Sequence, residues 1–302
     1  MKFGFHVSIQ GGLSQVAERA ARLGCECVQI FSQSPRSWNG TLPPAREIAA
    51  FKRGLQQSAI SPCIIHTPYL LNICAEDKRI LRRSRKLLAE EIRRAKLIGA
   101  DYVVVHMGTR KNNPEQTALQ LMAQSIDGAL QAAGGGHVKL LLENTSGGGG
   151  KLGYKFEQLA AVLKQIRFVQ QVGICLDTAH LFQAGYDIRT KRGLEAALGE
   201  FDRMVGMEKL CLLHLNDSLT PLGSQHDRHW HIGRGLIGRR GFKRIVRHPL
   251  LRSLPAVMET PKKSEDDDIK NMSMVRKLQK TKILNRFFLK ILCNKNGFCG
   301  LY

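Results

Sequence analysis

The stretch GSQHDRHWHIGRG, residues 223–235, places His226, His229 and His231 within six positions of one another, in a chain with ten histidines. Asp227 stands among them. Imidazole nitrogen beside carboxylate oxygen is a donor set for a divalent metal ion. Asp227 and His229, two residues apart, share one side of an extended segment. His231 falls on that side too and His226 on the other, and both read as supporting or solvated. A second set of donors lies elsewhere, each at the end of an apolar run: His66, His106, Glu143, Asp177, His214 and Glu259. Carboxylates and imidazoles crowded at one place repel or desolvate one another unless a cation joins them. The set contains no cysteine, so it suits catalytic zinc, manganese or iron rather than a structural zinc. Six ligands exceed what one four-coordinate ion takes, and two ions sharing a carboxylate fit better, with Glu143 on the middle strand as the bridge. In DTAH, His180 follows Asp177 by three residues and can face another ion, so His180, Asp227 and His229 form a third position at the rim. His6 reads as a supporting group, and His137 and His248 as ordinary surface histidines. Paired metals can activate a water and steady the leaving oxygen of a phosphodiester.

Eight short β-rich runs must position these residues: KFGFHVS, CECVQIF, PCIIHTP, DYVVVHMG, VKLLLENT, VGICLDTAH, KLCLLHLND and LPAVMETP. Amphipathic stretches separate them, such as DKRILRRSRKLLAEEIRRAKLIG at 77–99. Apolar strands alternating with helices predict a parallel sheet covered on both faces. Eight repeats predict an α/β fold of the (β/α)8 TIM-barrel type in a single domain, with the strand ends converging on the C-terminal face. A doubly wound open sheet is the alternative, but IQGGLSQ after the first strand is only a glycine-rich turn and no GxGxxG.

Bulk properties narrow the partner. Lys and Arg number 46 against 25 Asp and Glu, a formal charge of +21 over 302 residues. Such an excess favours polyanions, nucleic acid foremost. None of the eight cysteines forms a CxxC pair, which predicts buried, reduced thiols in a cytoplasmic protein. No signal peptide opens the chain, and the run ILNRFFLKIL is too short and too charged to cross a membrane. A monomer is the default expectation.

FGFHVSIQGGL, HTPYLLNI, LLENTSGGGGKLG, CLDTAHLFQAGYD, LLHLNDS, GSQHDRHWHIGRGLIG and METPKK resemble, in order, motifs of the endonuclease IV family of apurinic/apyrimidinic (AP) endonucleases. The resemblance implies a TIM barrel with three zinc ions. The first would take His66, His106 and Glu143, the second Glu143, Asp177, His214 and Glu259, the third His180, Asp227 and His229. Glu143 and Glu259 would hold the attacking water while ligating. The implied reaction hydrolyses double-stranded DNA 5′ to an abasic site, leaving a 3′-hydroxyl and a 5′-deoxyribose phosphate, and trims blocked 3′ ends. QSPRSW resembles the loop that inserts an arginine into the base stack, here Arg36. HTPYLLN resembles the loop whose aromatic and apolar residues fill the gap, here Tyr69 and Leu70. HMG, SGGGG and Trp230 depart from the commonest family pattern, which leaves loop shape and lesion preference open. The family-like domain spans 1–279, and the basic tail 280–302 matches no family motif. A metal-dependent sugar isomerase on the same barrel is the rival reading.

Overall fold

The structure is a computed structural model that describes residues 1–280, so the tail expected at 280–302 lies, but for Lys280, outside the described residues. Eight parallel strands close into a barrel: β1 Lys2–His6, β2 Cys27–Phe31, β3 Cys63–His66, β4 Tyr102–His106, β5 Lys139–Glu143, β6 Val172–Asp177, β7 Leu210–His214 and β10 Pro255–Met258. β1 pairs with β10 and β2, which closes the cylinder. Two short strands absent from the sequence expectation, β8 Asp217–Ser218 and β9 His229–Trp230, form an antiparallel pair beyond β7. The helices are α1 Gln15–Arg22, α2 Ala45–Gln57, α3 Lys78–Ile98, α4 Glu115–Ala133, α5 Phe156–Leu163, α6 Thr178–Ala184, α7 Lys191–Met204, α8 Gly238–Ile245 and α9 Glu265–Gln279.

Strand period separates two cores. Residues such as Phe3, Phe5, Val28, Ile30, Ile65, Val103 and Val105 point outward and pack under the helices. The opposite phase fills the barrel with Cys27, Ile64, Val104, Leu141, Cys175, Leu212 and Val257. On β1 the inward place falls to Gly4, where a Cβ would sit 1.9 Å from the Cys27 carbonyl oxygen. Successive side chains alternate faces, so the next inward residue on each strand lies two positions on. Those residues are His6, Gln29, His66, His106, Glu143, Asp177, His214 and Glu259. A polar ring therefore rests on an apolar one at the C-terminal mouth, where barrels of this type carry their chemistry. Cys27 and Cys175 in the apolar ring are fully buried, and burial pushes both thiols up to about 12.

The helix expected over 77–99 is α3. Asp77 caps it by accepting from the Arg79 and Ile80 amides, and Gly99 closes it in the left-handed region at φ +77°. α3 also fixes the loop after β2. Arg94 donates to the Thr41 carbonyl at 3.1 Å, the Arg83 guanidinium lies 4.4 Å from the Trp38 ring, and Ser32 Oγ donates to Glu91 Oε2 at 2.6 Å. Glu91 is fully buried, and burial raises its carboxyl from 4.5 to about 7. His248, expected at the surface, is instead buried, with Nε2 3.3 Å from Glu195 Oε1, because the turn after α8 packs against α7.

Because folding raises the Glu91 pKa, the folded state binds the proton more tightly. The resulting contribution is complete below pH 4.5 and is lost as pH rises through about 7. Glu91→Gln removes this dependence. Denaturant melts from pH 5 to 8.5 should show the parent losing roughly 3 kcal/mol relative to the variant. Parallel stability curves would refute the assignment.

Candidate metal centre

Each donor reaches the mouth for a local reason. His66, His106, Glu143, Asp177 and His214 are the last residues of their strands, and Glu259 directly follows β10. Asp177 also caps α6, its Oδ1 accepting from the His180 amide at 2.8 Å, and this turns the His180 side chain back over the barrel. His229 comes in on β9, whose partner β8 is held by Asp217. The Asp217 carboxylate accepts from the amides of Ser218, Gly235 and Ile237 at 2.8, 2.9 and 2.9 Å, folding the 229–238 segment around it. Asp217 was not singled out in the sequence, and its place just past a strand-end histidine is the only signal it left there.

The donors form three adjoining groups, one of His66, His106 and Glu143, one of Glu143, Asp177, His214 and Glu259, and one of Asp177, His180 and His229, which Asp227 joins through its contacts with both histidines. In the first, Glu143 Oε2 lies 3.2 Å from His66 Nε2 and 3.0 Å from His106 Nε2. In the second, His214 Nδ1 lies 3.0 Å from Glu143 Oε1 and 3.3 Å from Glu259 Oε2, with Asp177 alongside. The two oxygens of Glu143 thus serve different groups. In the third, Asp227 Oδ1 is 3.2 Å from His180 Nε2 and 3.6 Å from His229 Nε2, and the two imidazole nitrogens are 3.4 Å apart. Asp177 Oδ2 is 3.5 Å from His229 Nε2, so it stands between the second group and the third.

Hydrogen bonds on the far side of the rings decide which nitrogens face inward. His66 Nδ1 donates to the Thr67 carbonyl at 2.7 Å, His180 Nδ1 to the Asn144 carbonyl at 2.9 Å and His229 Nδ1 to the Glu259 carbonyl at 3.3 Å. A carbonyl only accepts, so each neutral ring keeps its lone pair on Nε2. His180 Nε2 and His229 Nε2 face each other across 3.4 Å. Two lone pairs in that position would repel, so either a proton on one ring or a metal ion belongs between them. Zinc donors about 2.0–2.1 Å from a tetrahedral ion stand roughly 3.3 Å apart, and the donor pairs named above lie 3.0 to 3.6 Å apart. The residues fit divalent metal.

Charge in the centre is strongly coupled. Burial works to raise the Glu143 carboxyl, but His214 and His106 overcome it and hold it well below the ordinary range. Burial also opposes ionisation of Asp227, and the His180 hydrogen bond and charge, with His229 and Lys151, drive it far down. His180 goes the other way: Asp177, Asp227 and Glu143 outweigh burial and raise it well above 6.5. Carboxylates kept ionised beside imidazoles are a ready cation site.

Sequence reasoning passed over Gln29. It is fully buried on β2, with Oε1 accepting from His214 Nε2 at 2.8 Å and Nε2 donating to Glu259 Oε1 at 2.6 Å. One amide therefore fixes the His214 tautomer, leaving Nδ1 for metal, and orients a second ligand. His6 Nδ1 lies 3.1 Å from the same amide nitrogen and 3.8 Å from Glu259 Oε1, a supporting position. The outer loops hold the other candidates. Tyr69 is 65 % exposed, its ring 5.6 Å from that of His66 and 6.0 Å from that of His106. Leu70 is half-buried beside it, and Arg36 is exposed on the loop after β2, apart from the donor groups. His226 and His137 are exposed, and His231 Nδ1 lies 3.2 Å from Asn271 Nδ2.

Fold and site together define a TIM-barrel enzyme with metal-binding donor groups at its mouth. Residues 17–278 match the family model described as xylose isomerase-like TIM barrel. Within that class the chain belongs to the endonuclease IV family. It is 40 % identical over 275 residues to a probable endonuclease 4 of Methanoculleus marisnigri, covering 91 % of this chain and 98 % of that one. A probable endonuclease 4 of Oleidesulfovibrio alaskensis is 41 % identical over 278 residues, 91 % of this chain and 94 % of that one. The crystal structure of endonuclease IV from Thermus thermophilus superposes with a TM-score of 0.82 at 36 % identity, covering 92 % and 98 % of the two chains. A D-tagatose 3-epimerase-like protein, at 19 % identity and a TM-score of 0.68, shares the fold.

Gln29→Leu keeps the volume but releases both His214 and Glu259. Competition against a chromophoric chelator should show affinity for one of the bound metal ions falling about 10- to 100-fold, the usual cost of losing a residue that orients a ligand. Unchanged affinity would mean that the amide orients nothing that matters.

Proposed function

We propose that the protein is a zinc-dependent AP endonuclease of DNA base excision repair. The supporting observation is the convergence of His180 Nε2, His229 Nε2 and Asp227 Oδ1 within 3.2 to 3.6 Å of one another, beside the shared carboxylate of Glu143, in a chain of this family. On this reading His66, His106 and Glu143 hold one zinc, Glu143, Asp177, His214 and Glu259 a second, and His180, Asp227 and His229 a third. Ions held there would lower the pKa of water toward neutrality and neutralise charge on the phosphate that is cut.

The chain's own residues do the rest. Glu143 holds the floor of the site through both oxygens, and Glu259 keeps Oε2 at the centre while Gln29 ties Oε1 back. Water adds to phosphorus, the P–O3′ bond breaks, and the water's proton ends on the departing 3′ oxygen. The products are a 3′-hydroxyl and a 5′-deoxyribose phosphate, and the same hydrolysis frees blocked 3′ ends. Arg36, Tyr69 and Leu70, on the outer loops, enter the duplex and fill the gap left when the abasic sugar turns out of the stack. The net charge of +21 suits double-stranded DNA as partner. Among the described residues no helix is long and apolar enough to cross a membrane. The reading extends to a cytoplasmic monomer whose catalytic domain spans 1–279, followed by the basic tail 280–302.

The test is incision of a duplex carrying one lyase-resistant abasic analogue, with and without prior chelation. The expected result is a chelator-sensitive cut 5′ to the lesion that leaves a 3′-hydroxyl. Absence of cutting by folded, metal-replete protein would refute the reading and favour a sugar isomerase. Glu259→Gln should cut about 10³-fold more slowly, the scale of losing one group that acts on the transition state, and still bind the lesion duplex. Equal loss of binding would remove Glu259 from the chemistry.

A further inference from the structure

The loops after β4 and β5 are laced together at the edge of the third donor group. Thr109 and Lys151 form an antiparallel bridge, the Arg110 amide donates to the Gly150 carbonyl at 3.1 Å, and the Leu152 amide donates to the Gly108 carbonyl at 2.9 Å. The glycine run lets the second loop lie flat. Gly147, Gly149 and Gly150 occupy the left-handed region, and a Cβ on Gly148 would sit 2.1 Å from the Gln225 carbonyl oxygen. This close approach carries Lys151 to the segment that holds Asp227, and Lys151 Nζ lies 3.2 Å from Asp227 Oδ2.

The result is three cationic side chains, Arg110, Lys111 and Lys151, on one lip of the mouth. Neither 107–113, MGTRKNN, nor 146–155, SGGGGKLGYK, contains an acid. Lys111 is exposed, Arg110 and Lys151 half so. Among the described residues the only partner of the Lys151 ammonium is Asp227, which leaves two of its three N–H donors for another acceptor. Asp227 is itself engaged through Oδ1 with His180 and His229. A metal ion held by that group would share the Asp227 charge and leave Lys151 less fully compensated. Three clustered positive groups repel one another until an anion arrives.

We propose that 109–111 and 147–151 form one phosphate-binding lip, in which Lys151, with Arg110 and Lys111, takes backbone phosphates next to the one that is cut. The proposal rests on the reading that the substrate is DNA. Its ligand is the phosphodiester backbone without regard to base, because ammonium and guanidinium groups at a groove edge read charge and not sequence.

Lys151→Met, Arg110→Met and Lys111→Met, made singly, and Lys151→Arg test it. The readouts are the salt dependence of affinity for a lesion duplex, measured on chelated and on metal-replete protein, and the metal content of each variant. Every side chain that contacts a phosphate should lower the slope of log affinity against log salt by about 0.9. The loss in turnover should fall on KM rather than kcat. Lys151→Arg should keep the parent slope, and metal content should hold. Unchanged slopes in all three methionine variants overturn the proposal. So does a fall in metal content in Lys151→Met with its slope intact, which would confine that lysine to orienting Asp227. A parent protein without salt-dependent affinity for the duplex would instead overturn the DNA reading itself.

Discussion

The two-residue period of a β-strand, imposed eight times around a closed cylinder, is the constraint on which the rest of the molecule depends. An inward side chain at a strand's end has the barrel axis as its only direction. One apolar ring, Cys27 through Val257, fills the cylinder, and the next inward position is polar on every strand. Slipping any strand by one residue would turn its donor into the helix layer and bring an outward apolar residue to the axis. Pairing such as His106 with Glu143 and Asp177 with His214 keeps the donors level. The helices and their caps serve that level arrangement.

A ring of this composition keeps its carboxylates ionised through positive charge at the mouth, supplied by protonated imidazoles or by a metal ion. Glu143 and Asp177 are fully buried beside three imidazoles whose far nitrogens are committed to carbonyls or to the Gln29 amide. The centre is therefore set before any ion arrives, because tautomers and carboxylate orientations are held from behind. Asn144 and Asn216 extend this support. Asn216 Nδ2 donates to Asp177 Oδ2 at 2.6 Å, while its Oδ1 accepts from the Glu259 amide at 2.8 Å. A donor set held in this way loses little conformational freedom on binding metal.

Much of this was legible in the sequence because the barrel repeats one rule. Eight β-rich runs marked the strands, and a His, Glu or Asp at the end of six of them marked the donors. Gln29 escaped because an amide ends no strand and carries no charge; it interrupts CVQIF one step above Cys27, and only the strand's phase reveals that it points inward. The β8–β9 pair escaped because two-residue strands have no period to read. His248 was misjudged since its burial depends on α7, 53 residues earlier. The contact of Lys151 with Asp227 lay beyond pattern as well, for it is made by glycines that allow two loops to touch.

The donor groups also differ in how much of the chain each one spans. His66, His106 and Glu143 all lie in the first half, whereas the third group waits for Asp227 and His229 and the second for Glu259. During synthesis the donor sets therefore become complete in a fixed order: the first early, the third next, and the second only when the last barrel strand has been made. The carboxylate shared by the first two groups belongs to the early set. Closure of the cylinder by β10 against β1 thus coincides with delivery of the final ligand, so the seam of the barrel and the last donor of its metal centre are made by the same piece of chain.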